Sequence, residues 1–317
     1  MPVTLEQAAQ NATDDVDLAV IDEFRTNSIL DLLTFDDVVN PAGGGATLTY
    51  GYRRLITTGT AAFRAVNSEY VPQEVTTKQF STELKVLGGS FQIDRVLAKI
   101  GAAASGEVAL QSSQKIKAAQ ALFGQAVILG DSDTDADSFD GLSKALTGSS
   151  TEDNAGHDWS GPMDQAKAFQ ILTDVDDLLS LLDGQAGALI GNRRTIQLIK
   201  AASRYANQNV QIVGPRDTTI DTYAGARLVD AGFKAGAAEP IIPITGTTNK
   251  VTDLYAVRFG LDGFHGLSTV GGQVISYYAP DFTTPGAVKT GEVELGPVGV
   301  ALKNTKAAAV ARKIKVA

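Results

Sequence analysis

Residues 80–93, FSTELKVLGGSFQI, followed closely by residues 104–129, ASGEVALQSSQKIKAAQALFGQAVIL, decide the fold. The first stretch reads as a strand region, with Gly88-Gly89 as a bulge or kink. In the second, Ser105 reads as an N-cap and Glu107 suits the first turn. Proline is absent, and Ile116, Ala119, Leu122, Phe123, Ala126 and Val127 recur at helical spacing before Gly130 closes the segment. At about 1.5 Å per residue this helix is roughly 40 Å long, more than a small domain needs. It reads as a structural strut.

Upstream, Thr47, Thr49, Leu55 and Ile56 begin another β-rich stretch, separated from Phe80 by the Thr-, Gly-, Ala- and Arg-bearing segment Thr57–Thr77. Two strands joined by so long an excursion form a hairpin that is marginally stable alone, so something outside it must hold it. Before it, Asn40-Pro-Ala-Gly-Gly-Gly45 is a break. Residues 1–40 read as an arm. Thr13 is placed as the N-cap of a short helix carrying Val16, Val20 and Phe24 on one stripe, and Ile29, Leu30, Leu32 and Leu33 form a second apolar patch. Such an arm needs a surface to lie on, in its own chain or in a neighbour.

Downstream, residues 131–158 are acidic and rich in Gly and Ser, a loop region with the apolar island Phe139-Asp-Gly-Leu142. Helix and strand then alternate. Helices are expected at Asp164–Leu182 and from about Arg193 to Ala206. Strands are expected at Ala188–Ile190, 224–229, 254–259, 274–278 and 292–302. The pattern is α+β, without repeats.

Composition limits the functions available. The chain has 317 residues, 44% hydrophobic and 20% charged, which is globular composition with room for two domains. A formal net charge of -9 opposes electrostatic gripping of nucleic acid, so a nucleic-acid partner would be contained and not read. With no cysteine, disulfides, thiolate metal sites and Cys nucleophiles are excluded, in keeping with a reducing cytoplasm. No segment has the form of a secretory signal or a membrane span, and a soluble product is expected.

The search for chemistry is negative. Only His157 and His265 are available to a Ser-His-Asp arrangement, and both read as polar loop residues. Gly266-Leu-Ser-Thr-Val270 has Val where a nucleophile elbow requires its second Gly. Gly184-Gln-Ala-Gly187 precedes a strand and reads as a turn, and no phosphate-cradling GxxxxGK[ST] is present. Asp131, Asp133, Asp135 and Asp137 alternate as calcium ligands do. Ala136 and Leu142, however, occupy the positions where Gly and a bidentate Glu belong, so a solvated acidic loop is the plainer reading. After Glu294 the chain carries Lys303, Lys306, Arg312, Lys313 and Lys315 and no acid. This basic end reads as a strand and tail facing solvent or a neighbour, or as a contact for contained nucleic acid.

Five segments, in order over nearly the whole chain, carry a resemblance. They are Asp14–Leu33 with Ser28-Ile-Leu-Asp-Leu-Leu33, then Phe63-Arg-Ala-Val-Asn67, Gly88-Gly-Ser-Phe-Gln-Ile-Asp94, Phe139-Asp-Gly-Leu142, and Gly299-Val-Ala-Leu-Lys-Asn-Thr-Lys-Ala-Ala-Ala309. The sequence resembles major capsid proteins of tailed bacteriophages, particularly of actinobacterial hosts, which share the Hong Kong 97 capsid fold with encapsulins. The resemblance implies an N-arm over 1–40, an E-loop with flanking strands over 41–88, and a P-domain with its spine helix over 89–158. An A-domain over 159–284 and the P-domain's C-terminal strands over 285–317 would follow. It also implies no catalytic, cofactor or metal site, and a chain that assembles with itself as hexamers and pentamers into an icosahedral virion shell built in the host cytoplasm. Double-stranded DNA would be enclosed without sequence-specific binding, with portal, scaffolding and decoration proteins as partners and no membrane. Arg53, Arg54, Phe63, Arg64, Ile29 and Leu30 are the candidate inter-subunit contacts, because the arm and hairpin lack evident support from their own chain. The alternatives are an encapsulin-type compartment shell around a protein cargo and, from another class, a hydrolase of unknown type.

Overall fold

The computed structural model describes residues 29–38, 47–57, 59–96, 102–208, 210–213, 219–247, 249–269 and 275–317. The expected arm helix after Thr13 and the break at Asn40–Gly45 lie outside the described residues. A 3-10 turn at Leu30–Leu32 leads into β1 (Phe35–Asp37), followed by β2 (Thr49–Leu55), β3 (Thr77–Glu83), β4 (Lys85–Asp94) and the long helix α1 (Ala102–Leu129). After α1 come α2 (Leu142–Leu146), β5 (Glu152–Asp153), α3 (Gln165–Ser180), β6 (Ala188–Gly191) and α4 (Arg193–Tyr205). The remainder is β7 (Val210–Val213), β8 (Thr219–Tyr223), β9 (Ala226–Asp230), β10 (Val251–Val257), β11 (Phe264–Ser268), β12 (Ile275–Tyr278), β13 (Val288–Leu302) and β14 (Ala308–Lys315).

Three sheets result. β13 is the axis of a five-stranded sheet: β4 pairs along Val288–Val298, while β12 takes Glu292–Leu295 and β11 takes Val298–Leu302, with β1 parallel to β11. A seven-stranded sheet runs β5-β14-β10-β6-β9-β8-β7, and β2 with β3 forms a separate two-stranded hairpin. Strands β14, β10 and β6 of the seven-stranded sheet are buried on both faces and sort their side chains with period two, while β7 at its far edge is exposed. Leu189 of β6, Leu254 and Ala256 of β10, and Ala309 and Ala311 of β14 pack under Ile171, Leu172, Val175 and Leu178 of α3 and Leu198, Ile199 and Ala202 of α4. Their neighbours Ala188, Ile190, Tyr255, Val257, Ala308 and Val310 turn to the opposite face. There they share one core with Phe123 and Val127 of α1, Leu142 of α2, and Val293, Leu295 and Val300 of β13. Phe123 is at the join, with Phe35 and Phe139 rings 6.3 and 6.0 Å away.

The helix ends follow local chemistry. Asp164 caps α3 by accepting from Lys167 N at 2.7 Å, and Asn192 caps α4 by accepting from Arg194 N at 3.0 Å. α1 begins at Ala102, so Ser105 lies inside the helix and is not its N-cap.

Several expectations are corrected. Gly88-Gly89 is not a bulge; the extra residue belongs to β13, where two residues between Leu295 and Val298 face one between Leu87 and Lys85. Gly88 serves close approach, since a Cβ there would collide with the Val293 carbonyl. The strand expected at 224–229 is a hairpin: Ala224 and Gly225 form its two-residue turn at φ 48° and 80°, the backbone that type I′ hairpins require. α2 falls inside the stretch expected to be loop. Residues 308–315, read as part of a solvated basic end, form a buried strand hydrogen-bonded on both edges, to β10 and β5.

Phe123→Ala should lower the unfolding free energy by about 3–5 kcal/mol through loss of buried area plus the cavity it leaves. Urea denaturation of the full-length chain checks this, the midpoint falling while the slope is unchanged.

Candidate interaction surface

The hairpin stands away from the body. β2 and β3 pair in register from Thr49↔Glu83 to Leu55↔Thr77, and residues 56–76 continue beyond the ladder. Thr57 and Thr76 hold the neck of this excursion, with Ile56 N donating to Thr76 O and the two hydroxyls 2.9 Å apart. Beyond the neck, Phe63, Val66, Tyr70, Val71 and Val75 are exposed, as are Leu55 and Ile56 at the ladder's end. So many large apolar side chains held in water mark a surface that something else covers.

The candidate contacts separate by placement. On β2, alternation sends Arg53 outward and Arg54 inward. Arg54 Nε donates to Leu302 O at 3.0 Å, its Nη2 donates to the same carbonyl and to Tyr52 Oη, and its guanidinium lies over the Phe80 ring 4.3 Å from the centroid. Arg54 is thus taken up by its own chain, joining the hairpin to the end of β13. Arg64 donates to Ser68 O at 3.1 Å and stacks on Tyr70 at 5.5 Å, while Phe63 beside it is fully exposed. Ile29 is sealed in the core shared by α1 and β13, and Leu30 packs partly against it. Its burial gives Ile29 an intrachain role. Arg53, Phe63 and Arg64 are the members of the set that face outward.

The hairpin root rests on a small cluster, Val38, Leu84, Leu267 and Ala301, with Tyr50 and Tyr52 packed against it. Tyr50 Oη donates to Asp36 Oδ2 at 3.0 Å, linking β2 to β1.

His265 is a correction. It lies in the middle of β11, wholly buried, because β1 and β13 claim both edges of that strand. Gly interrupts the five residues Phe264-His-Gly-Leu-Ser, which hid the strand. Gly266 is needed there, since a Cβ would come 2.7 Å from the Phe35 ring. His157 is in the expected loop but is half-buried and bridges two carboxylates, Asp153 at 2.7 Å and Asp174 at 3.1 Å. Burial pushes the His157 imidazole down; the hydrogen bond to Asp153 and the charges of Asp174 and Asp153 outweigh it and hold the group above its ordinary value.

The acidic stretch closes on an internal cation. Lys144 Nζ lies 2.7, 2.8 and 3.0 Å from carboxylate oxygens of Asp131, Asp133 and Asp140, where a metal reading would put the ion. Those bonds, from Lys144 first and then Thr134 and the Asp133 backbone, hold the Asp131 carboxyl down at about 2. The basic end is similarly engaged. Arg312 pairs with Glu152 at 2.9 Å and Asp253 at 3.0 Å and donates to Ser143 O, and Lys315 pairs with Asp158 at 3.3 Å.

No family model matches the chain, and no curated sequence matches it. Solved structures do. The holo-SrpI encapsulin complex from Synechococcus elongatus PCC 7942 superposes with a TM-score of 0.58 at 13% identity, covering 100% of this chain and 96% of that one. The capsid of the native GTA particle gives 0.58 at 11% identity, covering 99% and 95%. The capsid of Myoviridae phage XM1 gives 0.52 at 12%, covering 99% and 97%. These likenesses establish the fold, an α+β architecture of the Hong Kong 97 capsid type.

Arg54→Met keeps apolar contact with Phe80 and removes the bonds to Leu302. It should make the hairpin root several-fold more sensitive to limited proteolysis while costing global stability no more than about 1–3 kcal/mol, the range for a hydrogen bond to a charged group. His157, its folded-state value raised, stabilises the protein fully below the ordinary histidine pKa of about 6.5, and that contribution fades as pH rises through the folded value. Chemical denaturation at a series of pH values should show this loss, and His157→Gln should remove it.

Proposed function

We propose that this chain is a shell subunit, the major capsid protein of a tailed bacteriophage, which assembles as hexamers and pentamers into an icosahedral virion capsid around double-stranded DNA. The observation that carries this reading is the hairpin of residues 49–83, whose excursion displays Phe63, Val66, Tyr70 and Val71 to water on a capsid-type fold. Intrachain bonds fix its root and leave its far end uncovered, as befits an element that docks on the next subunit. Head-to-tail docking of identical subunits closes into rings when the rotation permits. Arg53, Phe63 and Arg64 are proposed as contacts across that boundary. The hairpin takes the part of the E-loop within residues 41–88, and 1–40 that of the N-arm. Residues 89–158 with 285–317 take that of the P-domain, with α1 as its spine, and 159–284 that of the A-domain.

A net charge of -9 suits a shell that contains DNA without gripping it. The role is structural and not enzymatic. In support, His265 is sealed from water and both ring nitrogens of His157 face carboxylates, so neither is placed to serve as a base for a substrate. Portal, scaffolding and decoration proteins are the proposed partners, and the host cytoplasm the site of assembly. The second reading, an encapsulin-type shell, is favoured by the likeness to the SrpI complex over the whole chain.

Electron microscopy of the purified product should show closed shells or capsomers, and a monodisperse monomer at high concentration would defeat the proposal. The particle's contents separate the two readings: DNA with a portal vertex indicates a phage, and a protein cargo an encapsulin. Shells should be held without covalent crosslinks between Lys and Asn. The first lysine is Lys78, inside β3 opposite Arg54 with its ammonium 5.4 Å from the Phe80 ring, and the excursion beyond offers only Arg64, which stays protonated. Boiled in detergent, mature particles should run as one band near 33.1 kDa; a ladder would refute this.

A further inference from the structure

Four segments meet at the hairpin root: β1 through Asp36, β2 through Tyr50, β11 through His265, and the turn after β13 through Lys303. Asp36 is shared among them. Its Oδ2 accepts from Tyr50 Oη at 3.0 Å, lies 3.7 Å from Lys303 Nζ and 4.0 Å from His265 Nε2. The Tyr50 ring meets the His265 imidazole edge to face at 6.0 Å, and Lys303 Nζ lies 5.3 Å from the centre of the same tyrosine ring. His265 is wholly buried, and neither of its ring nitrogens makes a well-formed hydrogen bond. A buried imidazole without partners is tolerable while neutral and costly once charged.

We infer that neutral His265 is the keystone of the joint that fixes the hairpin to the body, and that its protonation loosens that joint. The charged groups around it set the outcome. An imidazolium at this position is repelled by the Lys303 ammonium, which is itself only partly exposed. Its counter-charges are Asp36, already engaged with Tyr50 and Lys303, and Asp262 just before β11. To serve the new cation, Asp36 must shift toward His265, whose Nε2 lies 4.0 Å away, and its bond to Tyr50, the link between β1 and β2, is weakened. If Asp36 stays, the uncompensated cation is expelled and β11 loosens with it. Either course frees the root that Tyr50 and Arg54 hold.

The site's electrostatics agree in direction. Burial pushes the His265 imidazole below its ordinary value and Lys303 adds to this, while Asp36, a backbone group of Gly263, and Asp262 only partly oppose them. A depressed histidine contributes stability in full above the ordinary value of about 6.5, and that stability is lost as pH falls through the folded value. The joint therefore tightens at neutral pH and gives way in acid, opposite in sign to the His157 bridge. It is internal to one chain and does not depend on the shell reading, on which only its consequence rests: in a shell, acid would free the hairpin to change its seat on a neighbour.

Hydrogen exchange of the full-length, unassembled chain between pH 7.5 and 5.0, expressed as protection factors that divide out intrinsic exchange rates, tests the inference. Peptides covering 49–55, 77–83 and 264–268 should lose protection on acidification, by up to about tenfold for each pH unit separating the folded and free imidazole. Those covering β6 and β10 should not. His265→Phe, which fills the same space and cannot titrate, should abolish the response at the root while leaving that around residues 153–174. Should that variant fold poorly, Lys303→Met keeps His265 and removes the repelling charge, so the folded and free imidazole values draw together and the loss of protection on acidification should shrink. An unresponsive root in the wild type, a response that survives in His265→Phe, or a response undiminished in Lys303→Met would each overturn the inference. Electron microscopy of shells scores assembly separately, so failure of either idea is visible without the other.

Discussion

A strand of fifteen residues must find partners for both of its edges, and β13 does so with three other strands. β4 occupies one edge, and β12 and β11 divide the other on either side of the bulge at Gly296-Pro297. Because β4 and β13 both pack against α1, their pairing also sets where the long helix lies. Because β11 carries β1, it sets where the chain before the hairpin lies. The last carbonyl of β13, that of Leu302, receives Arg54. Backbone groups buried without partners are costly, so this one strand ties helix, arm segment and hairpin into a single geometry.

Charge is handled in the same economical way. Lys144 gathers three aspartates, Arg312 ties β14 to β5, β10 and α2, and Arg258 joins Asp183 and Asp262. Each cluster closes a loop onto a strand or helix; the Arg312 pairs are largely buried, whereas Asp133 and Asp262 stand mostly in water. Long connections between elements are thereby made firm without a larger apolar core. The hairpin differs: its far half carries Arg64 and large exposed apolar groups with few intrachain contacts to restrain them.

The parts of this fold that were legible in the sequence are those governed by local rules. α1 showed itself through Ile116, Ala119, Phe123 and Val127 at helical spacing, and α3 and α4 through their helical periodicity. What escaped was decided by distant partners. β11 is too short and too Gly-rich to announce itself, and is a strand because β1 and β13 flank it. Ala308 and Ala309 favour helix by propensity, yet tertiary pairing with β10 makes them strand. At the candidate surface, the outward character of Phe63 and Arg64 was readable from an excursion without local support. The inward turn of Arg54 was not, because its acceptor is 248 residues away.

That separation also orders events in time. At about 5–20 residues per second, a ribosome that has made Arg54 needs roughly 12–50 s to reach Leu302. Throughout that interval the hairpin's two strands can pair with each other, but the carbonyl that fixes their direction does not yet exist. β14, which fills the place between β5 and β10 in the seven-stranded sheet, is made later still. A nascent chain therefore carries its stickiest segment early and its means of aiming that segment late. Neighbouring nascent chains on one message cannot present a correctly aimed hairpin to one another until each is nearly complete.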